Sequence, residues 1–170
     1  MYNEAMKRVV IVHGWGGTPE EGWFPWLKKE LESKGFSVIV PQLPDAEHPH
    51  IMAWVSALAV AVERPDGDLF FVGHSMGCQT IIRYLETLEK GEKVGGAIFV
   101  AGFVRSLTGL ESDEEEEIGR EWAQAPIDFD LVRSRVGRSV ALFSANDPWV
   151  PVGNAEDFKA KFGSETIVQG

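Results

Sequence analysis

The feature that most constrains the fold of this chain is an alternation of two residue patterns. RVVIV (Arg8 to Val12) is rich in β-branched residues, shows no polar alternation, and is closed by HGWGGTP. Such a run suits a strand buried on both faces of a parallel sheet. Trp23, Trp26, Leu27 and Leu31 then recur at helical spacing among lysines and glutamates until Gly35, and FSVIV (Phe36 to Val40) follows and stops at Pro41. A helical segment from about His50 to Glu63 is broken by the turn RPDGD before a third apolar run, LFFVG (Leu69 to Gly73). Ile81, Ile82, Leu85 and Leu88 mark an amphipathic helix from about Met76 to Glu89, ahead of the strand-like GGAIFVAG.

The rhythm lapses between Phe103 and Val136. No strand is predicted there, only a short acidic excursion over 103–136 that ends in the helix-like FDLVRSRV. SVALFS (Ser139 to Ser144), a helix from about Asn154 to Phe162 and the strand ETIV resume the pattern. Alternating strands and helices imply right-handed βαβ units, so the prediction is a single α/β domain over 1–170 with about six mostly parallel strands and helices on both faces. Chemistry in such a sheet lies at the carboxyl ends of the strands. That directs attention to His13 to Gly17, Gly73 to Gly77, the neighbourhood of Phe103, and Ala145 to Pro151.

Charge and cysteine usage narrow the partners. With 26 acidic and 16 basic residues the formal charge is −10, a field that repels nucleic acid and anionic membrane surfaces. Cys78 is the only cysteine and cannot form an internal disulfide, which fits a reducing compartment. No stretch approaches the roughly 20 apolar residues of a membrane span, and MYNEAMKR lacks the apolar core of a signal peptide. A soluble, cytoplasmic protein is expected, with neither nucleic-acid nor membrane partners. The run ESDEEEE (Glu111 to Glu117) has no matching histidine or cysteine cluster, so it reads as a solvated face. No metal or cofactor is expected.

GHSMG places Ser75 between Gly73 and Gly77, after a strand and before a helix. That context turns a G-x-S-x-G string into a sharp elbow that displays a nucleophilic serine. The helix behind it aims backbone N–H groups at developing negative charge. Met76 supplies one N–H donor for an oxyanion, and HGWGG supplies the second, with Trp15 favoured and Gly16 the alternative. An acid that orients an imidazole should follow the serine on the loop after a later strand. SVALFSANDPWVP puts Asp147 there, although N-D-P is also ordinary turn chemistry. Asp128 and Asp130 are rivals that precede the strand.

HGWGG, GHSMG and SANDPWVP in this order resemble the α/β-hydrolases, specifically the small serine hydrolases of the YdeN type, which include the retinoblastoma-binding serine hydrolase. The resemblance spans almost the whole chain, and the elbow and the D-P-x-V-P stretch are its specific parts. It implies a compact α/β-hydrolase fold without a large lid, Ser75 as nucleophile, Asp147 as acid, and hydrolysis of small carboxylesters through an acyl-enzyme. It also implies a histidine just after the last strand, commonly in a glycine-histidine pair. TIVQG resembles the strand that leads into that loop, yet no histidine follows His74. The triad histidine and its helix are therefore expected beyond residue 170.

The histidines present are poor substitutes. His74 adjoins Ser75 in a tight turn that directs neighbouring side chains apart, His13 sits beside the oxyanion loop, and His48 and His50 read as exposed loop residues. Trp149, Trp23 and His13 are candidates to line a substrate pocket together with Trp15. Trp26 and Trp54 fall on apolar helical faces that suit the core. Two other functions fit the same residues: a hydrolase scaffold without catalysis that binds a protein partner, and a carrier that holds a carboxylate at the oxyanion loop.

Overall fold

A computed structural model describes residues 6–170. Its centre is a six-stranded sheet built from β1 (Arg8–Val12), β2 (Ser37–Ile39), β3 (Leu69–His74), β4 (Val94–Val100), β5 (Val136–Ser144) and β6 (Glu165–Gln169). The strand order is β2-β1-β3-β4-β5-β6, and all five pairings are parallel. The helices are α1 (Phe24–Ser33), α2 (Ile51–Val62), α3 (Met76–Glu86), α4 (Asp113–Gln124), α5 (Phe129–Arg135) and α6 (Asn154–Asp157), the last continued by a π-helical turn at Phe158–Phe162. None of them is long and apolar enough to cross a membrane.

The two sheet faces are covered unequally. Val10, Val12, Phe71, Ala97, Phe99, Ala141 and Phe143 project onto the face that carries α2, α3, α4, α5 and α6, where the larger core lies. On the other face, among the described residues, α1 alone supplies helical cover, burying Phe24 against Val9, Ile11, Val38 and Val72. The register carries this second face onward through Ile98 beside Val72, then Val140, and through Val100, Leu142 and Ile167. Among the described residues no helix lies over that half. Ile98, on a central strand, is 41% exposed, and Ile167 is 40% exposed.

The acidic run forms an unexpected helix. Ser112 caps α4 by accepting a hydrogen bond from the Glu115 N–H at 3.2 Å, and Asp113 to Glu116 occupy the first turn, where the helix dipole favours carboxylates. Ile118 and Trp122 follow at i and i+4, and Trp122 is fully buried with its indole N–H on the Pro49 carbonyl at 3.0 Å. The excursion is thus a docked element of the core. Beyond it, α5 runs directly into β5, which begins at Val136 and not at Ser139.

A buried cation secures this docking. Arg83 of α3 is 7% exposed and donates to the carbonyls of Trp122 (3.0 Å), Ala125 (3.0 Å) and Pro126 (3.2 Å) at the end of α4. Its Nε donates to Gln79 Oε1 at 3.1 Å, and Gln79 in turn donates to the Phe103 carbonyl at 2.7 Å. Positive charge at a helix C-terminus complements the dipole and satisfies carbonyls that lack helical partners. Arg83→Met should lower stability by about 3 kcal/mol, because several buried carbonyls lose a charged donor together. A urea titration checks this, with hydrogen exchange in α4 rising first.

Candidate active site

The carboxyl ends of β1, β3 and β5 gather the residues singled out in the sequence. Ser75 links β3 to α3 with φ 51° and ψ −118°, a strained conformation for a residue with a side chain. Its N–H donates to the Val100 carbonyl of β4 at 2.8 Å. The flanking glycines make the turn possible by their lack of bulk. A Cβ on Gly77 would lie 2.3 Å from the Val12 carbonyl oxygen, and one on Gly73 would lie 2.7 Å from Ile81 Cδ1 and 2.9 Å from the Cys78 nitrogen. Helix α3 therefore starts in direct backbone contact with β1.

The loop after β1 packs against this elbow. A Cβ built on Gly14 would sit 3.2 Å from the Ser75 Cβ. The Gly16 N–H is committed to the Ala46 carbonyl at 2.7 Å and the Gly17 N–H to the Gly14 carbonyl at 3.0 Å. Among the described residues, the Trp15 and Met76 N–H groups have no acceptor. The Trp15 indole N–H holds the loop by donating to the Glu47 carbonyl at 2.8 Å.

His13 is enclosed completely and lines no open pocket. Its Nε2 accepts from the Leu43 N–H at 2.9 Å, which leaves the proton on Nδ1 to donate to the Gly14 carbonyl at 2.8 Å. The ring thus bridges the loops after β1 and β2 and braces the first of them. Burial pushes its pKa below the ordinary imidazole value of 6.5. His74 is half-buried against the rings of Trp23 and Phe24, at 6.0 and 6.1 Å between centroids, and burial lowers its pKa too. Trp23 thus lies beside α1, packed on Phe24. His48 and His50 are exposed, with His48 between Asp45 (3.2 Å) and Glu114 (3.5 Å).

Asp147 lies just past β5. One carboxylate oxygen, Oδ1, accepts the N–H groups of Trp149 at 2.8 Å and Val150 at 2.9 Å, so the residue does shape its turn. Among the described residues Oδ2 has no donor, and it is free to accept an imidazole N–H. The end of β6 borders the same loop, with the Ala145 N–H on the Gln169 carbonyl at 2.7 Å. Asp128 and Asp130 have other work: Asp128 caps α5 through the Leu131 N–H, and Asp130 pairs with Arg133.

Trp149 is 58% exposed beside the acid, Trp54 is buried, and Trp26, expected in the core, is 63% exposed on α1. Cys78 is buried with its thiol pKa pushed up by burial, which makes it inert as a nucleophile. No three potential metal-ligating side chains cluster among the described residues. Sequence reading missed Thr108 and Asn154, which bond the loop that carries Asp147 from outside the recognised motifs. Asn154 carried a signal in its position, a polar residue opening a segment read as a helix.

A family model described as serine hydrolase matches residues 9–170. The hydrolase YdeN of Bacillus subtilis is 30% identical over 151 residues, covering 89% of this chain and 76% of that protein. The serine hydrolase RBBP9 of Rattus norvegicus is 25% identical, covering 85% of this chain and 74% of its own length. The crystal structure of the B. subtilis ydeN product superposes with a TM-score of 0.88 at 27% identity, covering 97% of this chain and 86% of that one. Est1E from Butyrivibrio proteoclasticus, at 15% identity and TM-score 0.73, shares the fold.

The two lowered imidazole pKa values set a direction for stability against pH. Folding holds both rings neutral, so the unfolded chain binds protons first as pH falls. The contribution is fully present above 6.5 and is lost as pH drops below it, through the folded-state values. In urea titrations His13→Gln should flatten this decline while its amide replaces both ring hydrogen bonds. An unchanged slope would locate the effect elsewhere.

Proposed function

The chain belongs to the serine hydrolase family, and we propose that it cleaves small carboxylesters with Ser75 as nucleophile and Asp147 as the acid of its triad. The observation that carries this reading is the conjunction at one sheet edge of a strained serine, two unpaired N–H donors at Trp15 and Met76, and a carboxylate with one uncommitted oxygen. Each part answers a need of acyl transfer. The elbow presents Oγ to a carbonyl carbon, the two N–H groups stabilise the tetrahedral oxyanion, and the carboxylate orients the base and stabilises its imidazolium.

The base itself is proposed to be a histidine on a segment following β6. His13, His74, His48 and His50 each have another environment, and the end of β6 borders the loop of Asp147. The chain spans about three-quarters of the length of these two curated relatives. The bare sheet half at Ile98, Leu142 and Ile167 gives a helix within that segment an apolar surface to cover. Trp15 and Trp149 border the acyl site and suit a small apolar acyl group, in a protein expected to work in the cytoplasm. A protein partner would then be secondary to catalysis.

Covalent labelling by a fluorophosphonate, read by intact mass, tests the proposal. A form extended through the segment after β6 should gain one adduct, lost in Ser75→Ala, while residues 1–170 alone should not react at a comparable rate. Absence of labelling in both forms would overturn the catalytic reading in favour of a binding scaffold. Asp147→Asn in the extended form should lower the rate by about 10⁴-fold, because the imidazole loses its orienting acceptor. A loss of less than tenfold would assign the acid to another residue.

A further inference from the structure

We propose that Thr108 and Asn154 are positioning residues that hold the Asp147 carboxylate in register with Ser75 by clipping the loop after β4 onto the loop after β5. The inference rests on the triad reading above. It starts from what the acid lacks. The bonds from Trp149 and Val150 fix the carboxylate relative to its own turn, but they do not fix that turn relative to the serine. Val150 is buried in the core, but Ser144, Ala145, Asn146, Pro148 and Trp149 are all exposed, so core packing holds the turn at one end only.

Hydrogen bonds from the other loop hold the rest. Thr108 donates its hydroxyl to the Pro148 carbonyl at 2.9 Å and its N–H to the Trp149 carbonyl at 2.9 Å, gripping the two residues that follow Asp147. Asn154 is fully buried and uses its whole amide between the same two loops. Its Oδ1 accepts from the N–H groups of Val104 (2.9 Å) and Arg105 (3.2 Å), and its Nδ2 donates to the Pro151 carbonyl at 2.8 Å. Arg105 adds an ion pair to Asp157. The approach is close enough that a Cβ on Gly109, which has φ +68°, would meet the Pro148 oxygen at 2.8 Å.

The gripping segment begins at the nucleophile. The Val100 carbonyl of β4 receives the Ser75 N–H, and Ala101 then turns the chain through φ 50° while donating to the Leu142 carbonyl of β5 at 2.9 Å. Residues Val100 to Thr108 therefore touch the serine at one end and the acid turn at the other. They form a fixed spacer between two groups whose relative placement must hold within about half an ångström.

The experiment uses the extended form, with rates expressed per titrated site and fluorophosphonate inactivation followed across pH. Thr108→Val removes the hydroxyl while keeping the shape and the N–H. It should slow inactivation roughly ten- to a hundredfold, the effect of misplacing an orienting group by about an ångström. It should also lower the kinetic pKa of the base, because a displaced carboxylate no longer favours the imidazolium. Thr108→Ser should restore both. Asn154→Ala should act in the same direction wherever urea unfolding shows it folded, and Thr108→Val decides the matter where it does not. A Thr108→Val protein with the parental rate and pKa would overturn the clip. If the parent fails to label, or Asp147→Asn leaves it unimpaired, the triad reading has failed instead.

Discussion

Everything at the active edge depends on the contact between the start of α3 and the backbone of β1. Gly77 meets the Val12 and His13 carbonyls at distances that leave no room for a methyl group, which sets how deeply the helix sinks against the sheet. With α3 at that depth, Ser75 is forced to positive φ and its side chain stands above the sheet. The HGWGG loop, continuous with β1, is brought alongside by the same contact. A single close approach of backbones thus sets the distance between Ser75 and the loop after β1, with no side chain as intermediary.

The outer parts of the site are held differently, by buried polar side chains that reach between loops. His13 joins the loops after β1 and β2, Gln79 and Arg83 tie α3 to the β4 loop and to α4, and Asn154 joins the loops after β4 and β5. Each is buried, and each bonds backbone groups that have no partner in regular structure. Buried polar groups are costly unless satisfied, so such residues impose a definite geometry where apolar packing would tolerate several. The loops of this site are irregular in conformation yet closely specified.

The strands and the elbow were legible because their signals are local. An unalternating β-branched run has one good environment, and G-x-S-x-G after such a run has one good geometry, so RVVIV, LFFVG and Ser75 could be placed from sequence. The acidic helix α4 was obscured by its own charge: Glu111 to Glu117 reads as solvated, although Ser112 and Glu115 stand at capping-box spacing and Trp122 follows on the apolar side. Trp26 was assigned to the core because helical periodicity identifies an apolar stripe without revealing how much of it has a partner. The bridging side chains Arg83, Asn154 and Thr108 were hidden for a different reason. Their meaning lies in pairings across the chain, such as Thr108 with Pro148, and single-chain patterns carry no record of these.

While no further helix covers it, the bare half of the sheet bears on how residues 1–170 alone behave in a crowded solution. Ile98, Leu142 and Ile167 form an apolar surface that reaches onto the edge strand β6, a geometry that invites one molecule to stack on another. Opposing that attraction is the acidic surplus of −10, much of it on α4 and the surrounding loops. Each copy's net negative charge repels the other as the apolar halves approach, although α4 itself lies on the opposite face of the sheet. The acidic composition, which says nothing about the reaction, then acts as colloidal protection, and added salt, by screening it, would favour self-association.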